Sequence, residues 1–254
     1  MTFFVITFLI SCLSVMTVRG RRGNWPAGMP GGRARLMAVG GTYEGSQGLP
    51  SDAYVIQERL IAAAHGTGGT ELGHTAAALA LGAVVGARPQ HAGTREQDLD
   101  GSTQAAHRAV RTASLRNPAT PELVSTLDLI VLDAGERPRL RFAHVGNGAI
   151  WHCPKGREPQ PLTTTHSFDD GPLLRGVGMS SALNPELGAV SLSPGDRVVI
   201  VTEGVLKALG VPRMKQLLTG ATSPVACLDR LYDEIAAAEP KEDATVLIAD
   251  FVTA

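Results

Sequence analysis

Three cysteines in 254 residues, Cys12, Cys153 and Cys227, are too few and too far apart for a disulfide framework or a cysteine-rich zinc site. Neither sign of charge is in excess. The 23 Lys plus Arg stand against 24 Asp plus Glu, a net charge of −1, so the basic balance of a nucleic-acid binder is missing and no nucleic-acid partner is expected. Lysine is scarce, at 4 of the 23 basic residues, which together with the Ala and Gly excess speaks of a GC-rich genome rather than of chemistry. No HExxH pair joins the histidines, so His74, His91, His107, His144, His152 and His166 read as surface or core residues. From Arg35 onward there is no second linker, repeat or low-complexity tract. What is present is a 44% hydrophobic chain, too apolar for disorder and long enough to bury a substantial core.

Residues 1–18 carry no charged side chain, and Arg19, Arg21 and Arg22 follow at once. A membrane span needs about 20 apolar residues. A cleaved signal needs its basic residues before the apolar core. Three readings stay open: a membrane anchor, a misassigned start with translation from Met16 or Met29, and a cleaved signal. If the segment is an anchor, the arginines behind it keep the rest of the chain cytoplasmic. Residues 20–34 read as a Gly/Pro/Arg linker. The expected division is therefore 1–34 as this segment and 35–254 as one domain.

Apolar runs at Leu36–Val39, Ala53–Gln57, Arg59–Ala64, Val124–Leu132, Leu140–Val145, Ala149–Cys153, Arg197–Thr202 and Ala244–Phe251 read as strands. Glu136–Arg139 and Gly146–Asn147–Gly148 read as hairpin loops between successive strands, with Trp151 packing in the second hairpin. Glu71–Val85, Ser102–Leu115, Val211–Leu218 and Pro224–Ala238 read as helices. Ser223 is a natural N-cap with proline behind it. Strands and helices do not alternate regularly, so the class is α+β with mainly antiparallel strands. Cys153 and Cys227 fall on a strand and a helix and read as plain buried thiols.

Three segments can carry chemistry. Ala64–Gly69 is a glycine-rich turn between a strand and a helix, but it has neither dinucleotide nor Walker spacing. Glu203 ends the VVIVT run, and Glu242–Asp243 opens the last strand. Acidic residues at strand ends suit hard cations such as Mg²⁺ or Mn²⁺, and singly they also suit a solvated turn.

Taken in order, Ser51–Asp52–Ala53–Tyr54, His65–Gly66–Thr67–Gly68–Gly69, Ser125–Thr126–Leu127, Val145–Gly146–Asn147–Gly148, Leu162–Ser167, Thr202–Glu203–Gly204 and Glu242–Asp243–Ala244–Thr245 resemble the motifs of the metal-dependent Ser/Thr protein phosphatases, the PPM or type 2C class. The resemblance runs from about Arg35 to Val252. It implies an αββα sandwich: two mainly antiparallel sheets flanked by helices. It also implies two-metal hydrolysis, in which two Mn²⁺ or Mg²⁺ ions activate a bridging water and clamp the phosphate.

The charged positions of that family are altered here. Its bridging aspartate falls at His65, and an imidazole cannot bridge two ions as a carboxylate does. The carbonyl of Gly66 remains available. The other two metal-binding aspartates fall at Glu203 and Glu242, each one methylene longer, which matters for the near-ideal octahedron of Mg²⁺. Asp52 matches the retained early acid that helps hold the metal's waters. The phosphate-gripping arginine falls at Gln47, which cannot make the bidentate charged contact. Asn147 and Thr165 replace two further aspartates. His65 reads either as an inert, hydrogen-bonded strand-end histidine or, with Glu203, Glu242 and Asp52, as part of a one-ion site that suits Mn²⁺, Fe²⁺ or Zn²⁺ better than Mg²⁺. The expected function is a pseudophosphatase, with no catalytic residue assigned, that binds a phosphoprotein or kinase partner. The alternative is an active, divergent phosphatase using Glu203 and Glu242 as ligands.

Overall fold

The structure, a computed structural model, describes residues 34–67, 72–87, 95–116, 122–133, 138–168, 171–180, 182–220 and 223–253. The apolar segment 1–18 and the linker lie outside the described residues, apart from Ala34. Among the described residues no helix is long and apolar enough to cross a membrane.

Among the described residues, ten strands form two antiparallel sheets. The strands are β1 (Arg35–Tyr43), β2 (Asp52–Ile56), β3 (Leu60–His65), β4 (Leu127–Asp133), β5 (Arg139–Val145), β6 (Ala149–Cys153), β7 (Gln160–Pro161), β8 (Glu186–Ser191), β9 (Arg197–Val201) and β10 (Ala244–Val252). One sheet has the order β1-β10-β9-β6-β7 and the other β2-β3-β4-β5-β8. Helices α1 (Leu72–Ala87) and α2 (Arg95–Arg116) follow β3, α3 (Glu203–Leu218) follows β9, and α4 (Pro224–Ala237) precedes β10. This is the expected αββα sandwich.

The central strands are continuous apolar runs because both of their faces are covered. Alternate residues of β3 go to opposite layers: Leu60, Ala62 and Ala64 join the core under α1 and α2, while Ile61 and Ala63 join the core between the sheets. β10 does the same, with Val246 and Ile248 beneath α3 and α4 and Leu247 and Ala249 between the sheets. β1, shorter in the sequence reading, pairs with β10 over its full length from Arg35↔Val252 to Tyr43↔Ala244.

Several expectations are corrected. Gly146–Asn147–Gly148 is not a hairpin loop: β5 lies in one sheet and β6 in the other, so this turn carries the chain across the sandwich. Trp151, 1% exposed, accordingly packs in the core beneath α3 and α4 rather than in a hairpin. β8 escapes the sequence reading because it is an edge strand, half-exposed along its length and lacking a buried apolar run. α3 begins at Glu203, not Val211. Its first part is obscured by Gly204, Gly210 and Pro212, and a kink at Gly210 (φ 70°) separates it from the expected second part. Within the expected Val124–Leu132 strand, Val124–Thr126 lies outside β4, with Ser125 making isolated bridges to Gly66 and Val177. The Ser223 cap is as expected, its Oγ accepting from the Ala226 amide at 3.1 Å. Cys153 and Cys227 are free and buried, and burial pushes the Cys153 thiol up to about 12.

Candidate functional site

The site gathers at one end of the sandwich, where β2, β3, β10 and the start of α3 meet. Antiparallel pairing sets Asp52 opposite His65. Gly66, directly after β3, has to be glycine, because a Cβ there would lie 1.8 Å from the carbonyl oxygen of Gly73 in the first turn of α1. Gly204 is under the same constraint, since its Cβ would lie 2.1 Å from the Asp243 carbonyl oxygen. That close approach brings the residue before Gly204, Glu203, up to the residue before Asp243, Glu242.

Asp243 is buried and ties down the segment that precedes β2. Its Oδ1 accepts from the Gly45 amide at 3.1 Å, and its Oδ2 from the amides of Ser51 at 2.9 Å and Asp52 at 3.3 Å. Gln47, on the same segment, is exposed and lines the cleft.

The Asp52 carboxylate is fully buried. Its Oδ1 lies 2.7 Å from His65 Nδ1, and its Oδ2 accepts from the hydroxyls of Thr202 at 2.8 Å and Thr245 at 2.6 Å. Thr202 is the N-cap of α3, yet its side chain makes no cap hydrogen bond. The hydroxyl is diverted to Asp52, and it accepts from the Thr245 amide at 2.9 Å. Burial opposes a charge on His65, but the hydrogen bond and charge of Asp52, with Glu203 and Glu242 nearby, outweigh it and raise the pKa above the ordinary histidine value.

His65 opens onto a cleft of about 410 Å³, lined also by Gln47, Gly66, Asn147, Glu203 and Glu242. One ligand atom each from His65, Glu203 and Glu242 lies within 4.8 Å of the others. Asp52 stands behind His65 and does not line the cleft. Asn147 is buried, and its Oδ1 has no hydrogen-bond partner among the described residues. Thr165 is exposed and bonds Ser167 instead, Oγ1 to Oγ at 2.9 Å.

The sequence reading missed Lys207. Its Nζ lies 3.1 Å from Glu203 Oε1 and 3.0 Å from Glu242 Oε2. Partial burial opposes its charge, and the two glutamates more than offset that, raising its pKa. The available signal was the Glu203–Lys207 spacing of four, which pairs side chains only on a helix. With Glu203 read as the end of a strand, that spacing carried no message. Thr202 and Thr245 stand within quoted motifs, but nothing local marks their hydroxyls as partners of Asp52.

A second group, His144, His166 and Glu186, also has clustered ligand atoms. Both ring nitrogens of His144 are taken, Nδ1 by Asp128 at 2.7 Å and Nε2 by the Thr164 carbonyl at 3.0 Å, so it offers no lone pair to a metal. His144 and His166, with ring centroids 4.6 Å apart, flank the Gly146 turn, whose amide donates to His166 Nδ1. Of the surface and core alternatives that the sequence left open for these histidines, His144 and His166 take the core one.

Two five-stranded antiparallel sheets between two helix pairs, with acids converging where β9 and β10 meet α3, define the PPM phosphatase fold. The serine/threonine phosphatase PstP/Ppp of Mycobacterium tuberculosis superposes with a TM-score of 0.76 at 20% identity, covering 86% of this chain and 99% of that one. The PPM Ser-Thr phosphatase MsPP of Mycobacterium smegmatis, in complex with cacodylate, gives 0.71 at 21% identity, covering 85% and 98%. PppA of Pseudomonas aeruginosa, a regulatory component of T6SS, gives 0.70 at 16% identity, covering 86% and 99%. No curated protein matches the sequence. The profile of the Stage II sporulation protein E (SpoIIE) family matches residues 72–252, and the chain belongs to that family.

Proposed function

We propose that this chain is a pseudophosphatase: a PPM-type domain with little or no phosphomonoester hydrolysis that binds a phosphoprotein or kinase partner and regulates it. The observation that carries the reading is His65. It stands where the family resemblance places the bridging aspartate, and its Nδ1 is committed to Asp52. Only Nε2 is left, which gives one lone pair to one ion. A two-ion centre of the kind PstP holds, with two manganese ions in its structure, does not fit this donor set. The set is consistent with at most one weakly held divalent ion on His65, Glu203 and Glu242, with Gly66 lining the same cleft. Mixed imidazole and carboxylate donors suit Mn²⁺ better than Mg²⁺. Gln47 supports the same reading, since a neutral amide at the phosphate position gives no charged bidentate grip.

The clustering of His65, Glu203 and Glu242 within 4.8 Å favours the second reading, an active divergent Mn²⁺-dependent phosphatase. Turnover of an aryl phosphate and of a phosphopeptide with Mn²⁺ separates the two. The pseudophosphatase reading expects turnover at or barely above the protein-free rate, and unaffected by Glu203→Ala. Turnover that Glu203→Ala abolishes would overturn it, as would two tightly bound Mn²⁺ per chain.

A further inference from the structure

Lys207 stands between the two carboxylates through which the domain would hold a divalent ion. It is one helical turn beyond Glu203 on α3, and its Nζ is within hydrogen-bond distance of one oxygen on each glutamate. We propose that Lys207 is a built-in competitor for the divalent cation, its ammonium taking the place an ion would hold between Glu203 and Glu242. The inference rests on the proposed assignment of those two glutamates as the cation-holding pair.

The argument is one of charge and tethering. Two carboxylates held this close by the Gly204–Asp243 backbone approach repel each other unless a cation lies between them. An ion from solution has to be recruited and partly dehydrated. The Lys207 ammonium is joined to the same helix as Glu203, so its effective concentration at the pair is high at any metal level. An entering ion must break two charge-assisted hydrogen bonds and push a positive charge aside. The side chain is 43% exposed, so it has room to swing away and its replacement leaves no core cavity.

The test is a Mn²⁺ titration of the metal-stripped full chain, read by the electron paramagnetic resonance of free Mn²⁺ and by thermal unfolding. Lys207→Met removes the charge. Lys207→Gln removes the charge but keeps a hydrogen-bonding amide. Lys207→Arg keeps the charge. Both neutral variants are expected to bind one Mn²⁺ about tenfold more tightly than the wild type, a difference of about 1.4 kcal/mol, and to gain more in melting temperature from it. Without metal they should melt below the wild type. Lys207→Arg should follow the wild type. Equal Mn²⁺ affinity in the wild type and the neutral variants, including no binding by any of them, overturns the role of Lys207. So does an arginine variant that binds as tightly as the methionine one. These results leave the turnover assay untouched, so failure of this inference and failure of the pseudophosphatase reading are distinguishable.

Discussion

Asp52 and His65 lie opposite each other on β2 and β3, with Asp52 Oδ1 2.7 Å from His65 Nδ1. This contact fixes the imidazole ring and leaves Nε2 as its one uncommitted nitrogen. It also converts a position that the family resemblance assigns to metal bridging into one half of a buried ion pair.

Asp52→Ala should destabilise the fold by about 3–5 kcal/mol, the range for removing one partner of a buried charged pair. It strands His65 and the hydroxyls of Thr202 and Thr245 together. Asp52→Asn should cost less, and it should lower the His65 pKa by removing the charge that raises it. Denaturant unfolding and histidine NMR titration measure the two effects. An unchanged unfolding midpoint in the alanine variant would show that this network contributes nothing.

His65→Asp alone should not restore phosphatase turnover with Mn²⁺, because Gln47 still leaves the phosphate without its charged grip. Before metal is added it should lower the melting temperature, since a second carboxylate beside Asp52 replaces an attraction by a repulsion. Wild-type-like melting combined with full turnover would show that the lost bridge is the whole defect.

Stability should peak near pH 6.5. His166 is held down to about 4, chiefly by burial and then by the charges of His144 and Arg175. Between about 4 and 6.5 the unfolded state therefore binds more protons, and stability rises with pH. His65 and His144 have raised values, each because a buried aspartate outweighs desolvation. Their contribution is complete below 6.5 and is lost as pH rises through the folded values. Thermal unfolding from pH 4 to 9 should show both limbs. His65→Asn should weaken the alkaline limb, leaving the share that His144 carries, and should leave the acid one; a profile unchanged by that variant would contradict the assignment.

Asp243→Ala should release the segment from Gly45 to Asp52. Three backbone amides lose their acceptor, at about 1–3 kcal/mol for buried donors left unsatisfied. Hydrogen exchange should speed up at the amides of Gly45, Ser51 and Asp52 before it does in β9 or β10. Retained protection there would mean that other contacts hold the segment.

Much of the architecture was legible in the sequence. The runs Arg59–Ala64, Arg197–Thr202 and Ala244–Phe251 announce strands buried on both faces, and Ser223–Pro224 announces a helix start, because these signals are local. Acids at Glu203 and Glu242 and the loss of a carboxylate at His65 are likewise visible one position at a time. Tertiary structure decided the rest. Whether the turn after β5 makes a hairpin or crosses to the other sheet depends on which strands pair with β6, and residues 197–201 settle that from far along the chain. β8 is a strand because β5 offers it an open edge, not because its own residues insist. The site follows the same rule. Asp52 takes its partners from positions 65, 202 and 245, and Lys207 meets Glu242 only because Gly204 allows two backbones to touch. Local sequence sets period, burial and charge. Which charges meet is set by close approach between distant segments, and no local pattern records that.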